Sequence, residues 1–134
     1  MAESLTMTGA GQTMAPLYDK RAILERVDGD IDLLREVIEM FLTDAPPLIA
    51  DMRAAVAAGD AGGIKAAAHT LRGAASNFGA TAVVECAREV EALAKSGGLA
   101  NAAALVDRLE GAHRELETAL RMLATDEPEA SATG

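Results

Sequence analysis

From Ile31 to Ala58 apolar residues return at Leu34, Val37/Ile38, Phe41, Ala45, Leu48, Met52 and Ala55, a spacing of three and four that puts them on one helix face. The stripe stays in phase across Pro46-Pro47, which predicts one long helix kinked near those prolines, because a proline inside a helix removes a hydrogen bond and crowds the preceding turn. Ahead of it, YDKRAILERV brings Ile23, Leu24 and Val27 to one side and predicts a short helix that stops at Asp28-Gly29 and leaves Asp30 to cap the long one. Gly59 ends the long helix, and Asp60 or a neighbour starts a third that runs to Phe78 and closes at Gly79, the residue type a left-handed cap prefers. Thr81 is the expected cap of a fourth, whose inward face is Val83, Cys86/Ala87, Val90 and Leu93/Ala94 up to the Ser96-Gly97-Gly98 break. Asn101 is the expected cap of a fifth, carrying Leu105, Leu109, Ala112, Leu116, Leu120 and Leu123.

Four substantial helices joined by short glycine-containing turns favour antiparallel neighbours. The fold expected is all-α: an antiparallel up-down four-helix bundle with a short additional N-terminal helix. Residues 1–15 lack any period and 125–134 are acidic and turn-prone, so both read as flexible tails around one domain at 16–124. A length of 134 residues suits one domain with a real core.

Composition narrows the function classes. A formal charge of −9 opposes a polyphosphate backbone, and no basic cluster with interleaved aromatics offsets it, so nucleic acid is not an expected partner. Anionic membrane surfaces are disfavoured for the same reason, and no uninterrupted apolar stretch is long enough to cross a bilayer. With Cys86 as the single cysteine, neither an internal disulfide nor a thiolate zinc site can form, which fits a reducing cytoplasm. The opening MAESLTMTGAGQTMAP has no basic region followed by an apolar run, so a cytoplasmic location is expected.

The third helix has two chemically distinct faces. At about 100° per residue, Ile64, Ala67, Ala68, Ala74, Ala75 and Phe78 fall near Leu71 and form an apolar stripe. His69 lies roughly 160° from Leu71, with Lys65, Arg72, Gly73 and Ser76 around it on the opposite face. The histidine is therefore expected to point into water. A neutral imidazole can attack phosphorus near neutral pH without a neighbouring base to deprotonate it. A phosphoryl group on the ring would bring negative charge that Arg72, one turn on, can reach, while Lys65 adds weaker support. Gly73 costs its helix about 1 kcal/mol relative to alanine, and clearing space for a partner's active-site loop is a reason to bear that cost.

Other constellations carry less. Glu110 and His113 have the Glu-x-x-His spacing of carboxylate-bridged metal bundles, but the offset before His69 holds Ala66, so the second half of such a site is missing and no metal site is expected. His113 reads instead as a flank residue with its ring partly covered. Glu85, Arg88 and Glu89 read as a solvated helix face with internal pairs. Leu33 and Met40 lie roughly 100 to 120° off the long helix's stripe and are expected either to form an exposed docking patch or to pack against the short first helix.

The run AAHTLRGAASNFGA, Ala67 to Ala80, resembles the signature of the histidine phosphotransfer (HPt) family: a histidine, an apolar residue two on, a basic residue three on, glycine four on, small residues, then an apolar-glycine pair. FLTDAPPLIADMRAAVAAGD before it and VVECAREVEALAKSGG after it are similar to the flanking helices of such domains. The resemblance implies a phosphocarrier, not an enzyme with its own ATP site, and no nucleotide-binding glycine motif contradicts this. It implies phosphorylation of His69 through the ring nitrogen farther from the backbone, Arg72 steadying the phosphoryl group, and Gly73 as clearance for a docking receiver. Lys65 and Ser76 on the polar face of the third helix, and Leu33 and Met40, are further docking candidates. It also implies response-regulator receiver domains and a hybrid histidine kinase as partners of a monomer, and no cofactor in this chain, Mg²⁺ being expected in the receiver only. Arg72 departs from the lysine most common in the family; a planar guanidinium preserves the charge but is expected to hold phosphate more tightly and slow onward transfer. Two further readings are a non-catalytic adaptor bundle and a phosphoacceptor domain of a chemotaxis-type histidine kinase.

Overall fold

The computed structural model describes the backbone of residues 17–133 and the side chains of 17–125. All regular structure among the described residues is helical: α1 (Lys20–Arg26), α2 (Ile31–Ala58), α3 (Ala61–Ser76), α4 (Thr81–Ser96), a 3-10 turn (Leu99–Asn101) and α5 (Ala102–Thr133). The expected tail at 1–15 lies outside the described residues. At the other end the expected boundary at 124 is not a helix end, because α5 continues to Thr133. No glycine stands between Gly111 and Gly134 to supply a left-handed stop.

Aspartates start three of the helices. Asp19 accepts from the Ala22 amide at 3.2 Å, Asp30 from Leu33 at 3.1 Å and Asp60 from Gly63 at 3.0 Å, each satisfying an amide that the first helical turn leaves open. Gly59 (φ 66°) and Gly97 (φ 80°) end α2 and α4 in the left-handed region. The path of α2 is continuous through Pro46 and Pro47, both exposed.

Three expected helix ends are corrected. α3 stops at Ser76 rather than Phe78, since the Phe78 amide bonds Ala75 O at 3.0 Å and tightens the last turn before Gly79 reverses the chain at φ 60°. Thr81 does not cap α4: its amide donates to Gly79 O at 3.0 Å, and Ala80 holds the cap position without a side-chain bond. Ala80 is fully buried, so packing rather than capping fixes this start. Asn101 lies within the 3-10 turn that leads straight into α5.

Gly79 has a second constraint. A Cβ built there would lie 2.5 Å from the Asp19 Cβ, and the Asp19 amide donates to Phe78 O at 2.8 Å, so the start of α1 is fastened against the end of α3.

The long helices pack α2 on α3, α3 on α4, α4 on α5 and α5 back on α2, a closed ring around one core. Leu34, Ile38 and Met52 of α2, Ile64 and Leu71 of α3, Val83 and Val90 of α4, and Leu109, Leu116 and Leu120 of α5 are almost wholly withdrawn from water. The inward register of α5 contains a correction. His113, expected on the flank, is only 3 % exposed, because it stands four residues after Leu109 and three before Leu116, on the centre of their stripe. Neither ring nitrogen has a hydrogen-bond partner among the described residues, and burial pushes its pKa below the usual histidine value. Glu110, its supposed co-ligand, is instead engaged by Arg53 of α2, whose Nε donates to it at 3.1 Å and whose Nη2 reaches Asp107 at 2.8 Å. This cluster ties α2 to α5. Cys86 is partly covered, and burial raises its thiol pKa, the opposite of what a reactive thiolate needs.

Candidate phosphoacceptor site

The apolar face of α3 is seated as its periodicity requires: Ala68, Leu71 and Ala75 have no exposed surface, and Ile64 and Ala67 are buried beside them. His69 is thereby carried to the outside, with 68 % of its side-chain surface open to solvent. Nδ1, the ring nitrogen nearer the backbone, faces two groups at once: Nη2 of Arg72 lies 3.2 Å away and Oε1 of Glu91, on α4, 3.3 Å away. Nε2 has no hydrogen-bond partner among the described residues.

Arg72 and Glu91 are bound to each other. The arginine Nε contacts Oε2 in a close ion pair, and Nη2 approaches Oε1 at 3.4 Å. Only 15 % of the Glu91 side chain is exposed, and chiefly because of the Arg72 hydrogen bond its carboxyl pKa is lowered, so it is ionised across the neutral range. The sequence reading missed Glu91. It stands one residue after Val90 and four after Ala87, on the border of the inward stripe of α4, where a half-withdrawn carboxylate needs a partner on the facing helix.

The other expected site residues divide into two groups. Gly73 lies beside His69, and a Cβ built there would meet nothing within 4 Å, so the chain itself has no steric need for glycine. Ser76 donates its hydroxyl to Gly73 O at 2.8 Å and finishes α3 on the same face. Lys65 is exposed and makes no ion pair among the described residues, so it contributes positive potential without touching His69. Leu33 and Met40, 39 % and 62 % exposed, leave the α2 core stripe as expected. Leu33 borders a shallow groove of about 250 Å³ with Ile23, Arg26, Val27, Val37 and Asn77, where α1, α2 and the end of α3 meet; Met40 stands outside it.

Among the described residues no group of three or more His, Cys, Asp or Glu side chains is arranged to hold a metal ion, and no helix is long and apolar enough to cross a membrane. A nucleophile held in open water, with a cation at its shoulder, suits a protein that receives a group from one macromolecule and gives it to another. The model of the Hpt domain matches residues 36–125, and the chain belongs to that family, the histidine phosphotransfer modules of two-component signalling. Among solved structures, the crystal structure of histidine-containing phosphotransfer protein B (HptB) from Pseudomonas aeruginosa PAO1 is similar: 26 % identity, a TM-score of 0.78, and coverage of 84 % of this chain and 97 % of that one. No curated protein matches the chain.

Proposed function

We propose that this protein is a phosphorelay intermediate in which His69 takes a phosphoryl group from the aspartate of one response-regulator receiver domain and passes it to another. The observation that carries the reading is the asymmetry of the imidazole: Nδ1 is occupied by Arg72 and Glu91, while Nε2 has no partner among the described residues in a side chain that is 68 % exposed. A lone pair on Nε2 can reach phosphorus on a docked partner. Arg72 can then swing its guanidinium from Glu91 toward the phosphoryl oxygens, and Gly73 leaves the partner's loop room to approach. Lys65, Ser76, Leu33 and Met40 form the wider contact surface.

On this reading the chain works as a monomer in the cytoplasm, its 16–124 domain being an antiparallel up-down bundle with α1 laid on the outside. A hybrid histidine kinase supplies the first phosphate, and Mg²⁺ is contributed by the receiver. Its own residues provide the nucleophile and its electrostatic setting.

The test is incubation with a phosphorylated cognate receiver. Label should move to the wild-type chain and not to His69→Gln. Label that never reaches the wild type, or that still reaches His69→Gln, overturns the proposal. Full signalling output from His69→Gln would instead identify a non-phosphorylated adaptor, and labelling only by a kinase domain with ATP would identify a kinase phosphoacceptor module.

A further inference from the structure

The place His113 occupies suits only one of its charge states. Neither ring nitrogen reaches water, and neither has a partner among the described residues. The ring packs at a tilt against Phe41, which packs in turn against Phe78. A neutral imidazole is tolerated there at the cost of its unmade hydrogen bonds, whereas an imidazolium would be a buried charge without a counter-ion in contact.

The charged ring has somewhere else to go. Beside it a cleft of about 260 Å³ opens along the seam of α2 and α5, with Pro46, Ile49 and Ala50 on the α2 side. The charged groups lining this cleft are Arg53 from α2 and Glu110, Arg114 and Glu117 from α5. Glu110 and Glu117 stand one turn before and one turn after His113, on the same side of the helix. Glu110 is held by Arg53 and Arg114, and Glu117 by Arg121 of its own helix. Burial works against protonation of the ring, and the Glu117 and Glu110 charges work for it.

Withdrawing the ring reaches further than the seam. Phe78, which Phe41 supports, ends α3, and its carbonyl accepts the Asp19 amide at 2.8 Å at the start of α1. A chain of contacts therefore runs from His113 through Phe41 and Phe78 to α1, and α1 is one wall of the groove that Leu33 borders.

We propose that His113 is an acid-operated switch: neutral, its ring packs inward on Phe41; protonated, it turns out into the α2–α5 cleft between Glu110 and Glu117, and the Phe41–Phe78 pair it supported releases α1. The outward ring binds its proton more tightly than the inward one, so the outward population grows as pH falls, by about tenfold for each pKa unit that separates the two positions. At neutral pH α1 is seated and the groove beside Leu33 is formed; in acid both loosen while the four long helices stay folded. A loss of receiver docking in acid follows only on the phosphorelay reading of His69.

The experiment is an NMR titration of the full chain from about pH 8 to about pH 5, the range in which histidines change charge. The His113 imidazole, the Phe41 and Phe78 rings and the α1 amides should shift together, with one midpoint below 6.5. Amide exchange in α1, corrected for its intrinsic pH dependence, should quicken by about tenfold relative to α4, the factor for one unit of separation. His113→Phe keeps a ring against Phe41 and cannot titrate, so the α1 response should vanish although His69 still titrates. Glu117→Gln, which leaves the core intact, should move the shared midpoint lower. A His113 that titrates while Phe41, Phe78 and α1 stay still overturns the switch. So does an α1 response that persists in His113→Phe, or a loss of protection equal in all helices. A chain that never accepts label from a receiver would remove the relay, while the amide and ring shifts would still decide the switch.

Discussion

The ring of His113 on α5 lies 5.6 Å from that of Phe41 on α2, centroid to centroid, at a tilt of 56°, and Phe41 in turn lies 4.9 Å from Phe78. A histidine thus occupies a position in an aromatic cluster that a hydrocarbon could fill, with both ring nitrogens unpaired. Leaving a buried polar group unsatisfied costs about 1–3 kcal/mol. His113→Leu should therefore stabilise the protein by that order, read as a higher urea midpoint, and a lower midpoint would contradict the burial.

The same residue sets a pH dependence. The folded state lowers the His113 pKa below 6.5, chiefly by desolvation, so the native protein binds fewer protons than the unfolded chain. Stability should be full above pH of about 6.5 and fall as the pH drops from there through the lower folded value. His113→Leu should flatten this part of the profile, and an unchanged slope would exclude His113 as its source.

Gly73 separates stability from function. With open space around the missing Cβ, Gly73→Ala should gain about 1 kcal/mol from helix propensity and raise the melting temperature. On the proposed function phosphotransfer should slow in the same variant, because the methyl group would stand in the open space beside His69 that a receiver needs. Transfer at the wild-type rate would show that the glycine serves no partner.

Arg72→Lys exchanges a fork for a point charge. The ammonium cannot hold Glu91 and reach His69 with two separate nitrogens as the guanidinium does. Onward transfer from the phosphorylated protein should quicken by about fivefold, the factor that goes with one hydrogen bond of about 1 kcal/mol. Single-turnover transfer measures this, and a slower rate would reverse the reading that the Arg72 guanidinium slows onward transfer by holding the phosphoryl group.

Gly79→Ala should be among the most damaging changes outside the helices. The position needs φ 60°, which costs an L-residue about 1–2 kcal/mol, and the new methyl would also collide with the Asp19 Cβ. Amide exchange should accelerate first in α1, which this turn fastens, and uniform protection across α1 would refute the coupling.

Much of the site was legible because it is local. His69, Arg72 and Gly73 share one turn of one helix, so periodicity alone separates them from the Ala68–Leu71–Ala75 face. Glu91 was not legible, since its partnership with Arg72 spans two helices and depends on how α3 and α4 are set against each other. His113 fits the same account from the other direction. The stripe was read through Ala112 with His113 on the flank, and the structure turns the His113 ring inward against Phe41. Asp30 was read correctly as a helix start and Asp60 was offered with its neighbours, whereas the Asp19 cap was not read and the start of α4 was misread, because there a buried methyl at Ala80 replaces the hydrogen bond.

Ala68 and Leu71, which flank His69 along α3, have no exposed surface at all, so the platform beneath the imidazole is bolted into the interior. A modified and an unmodified molecule would then share one backbone shape and differ by about two elementary charges added to a total of −9. On the proposed function the message would be electrostatic, legible only within a screening distance of about 8 Å at physiological salt, and a listener would have to come into contact to hear it.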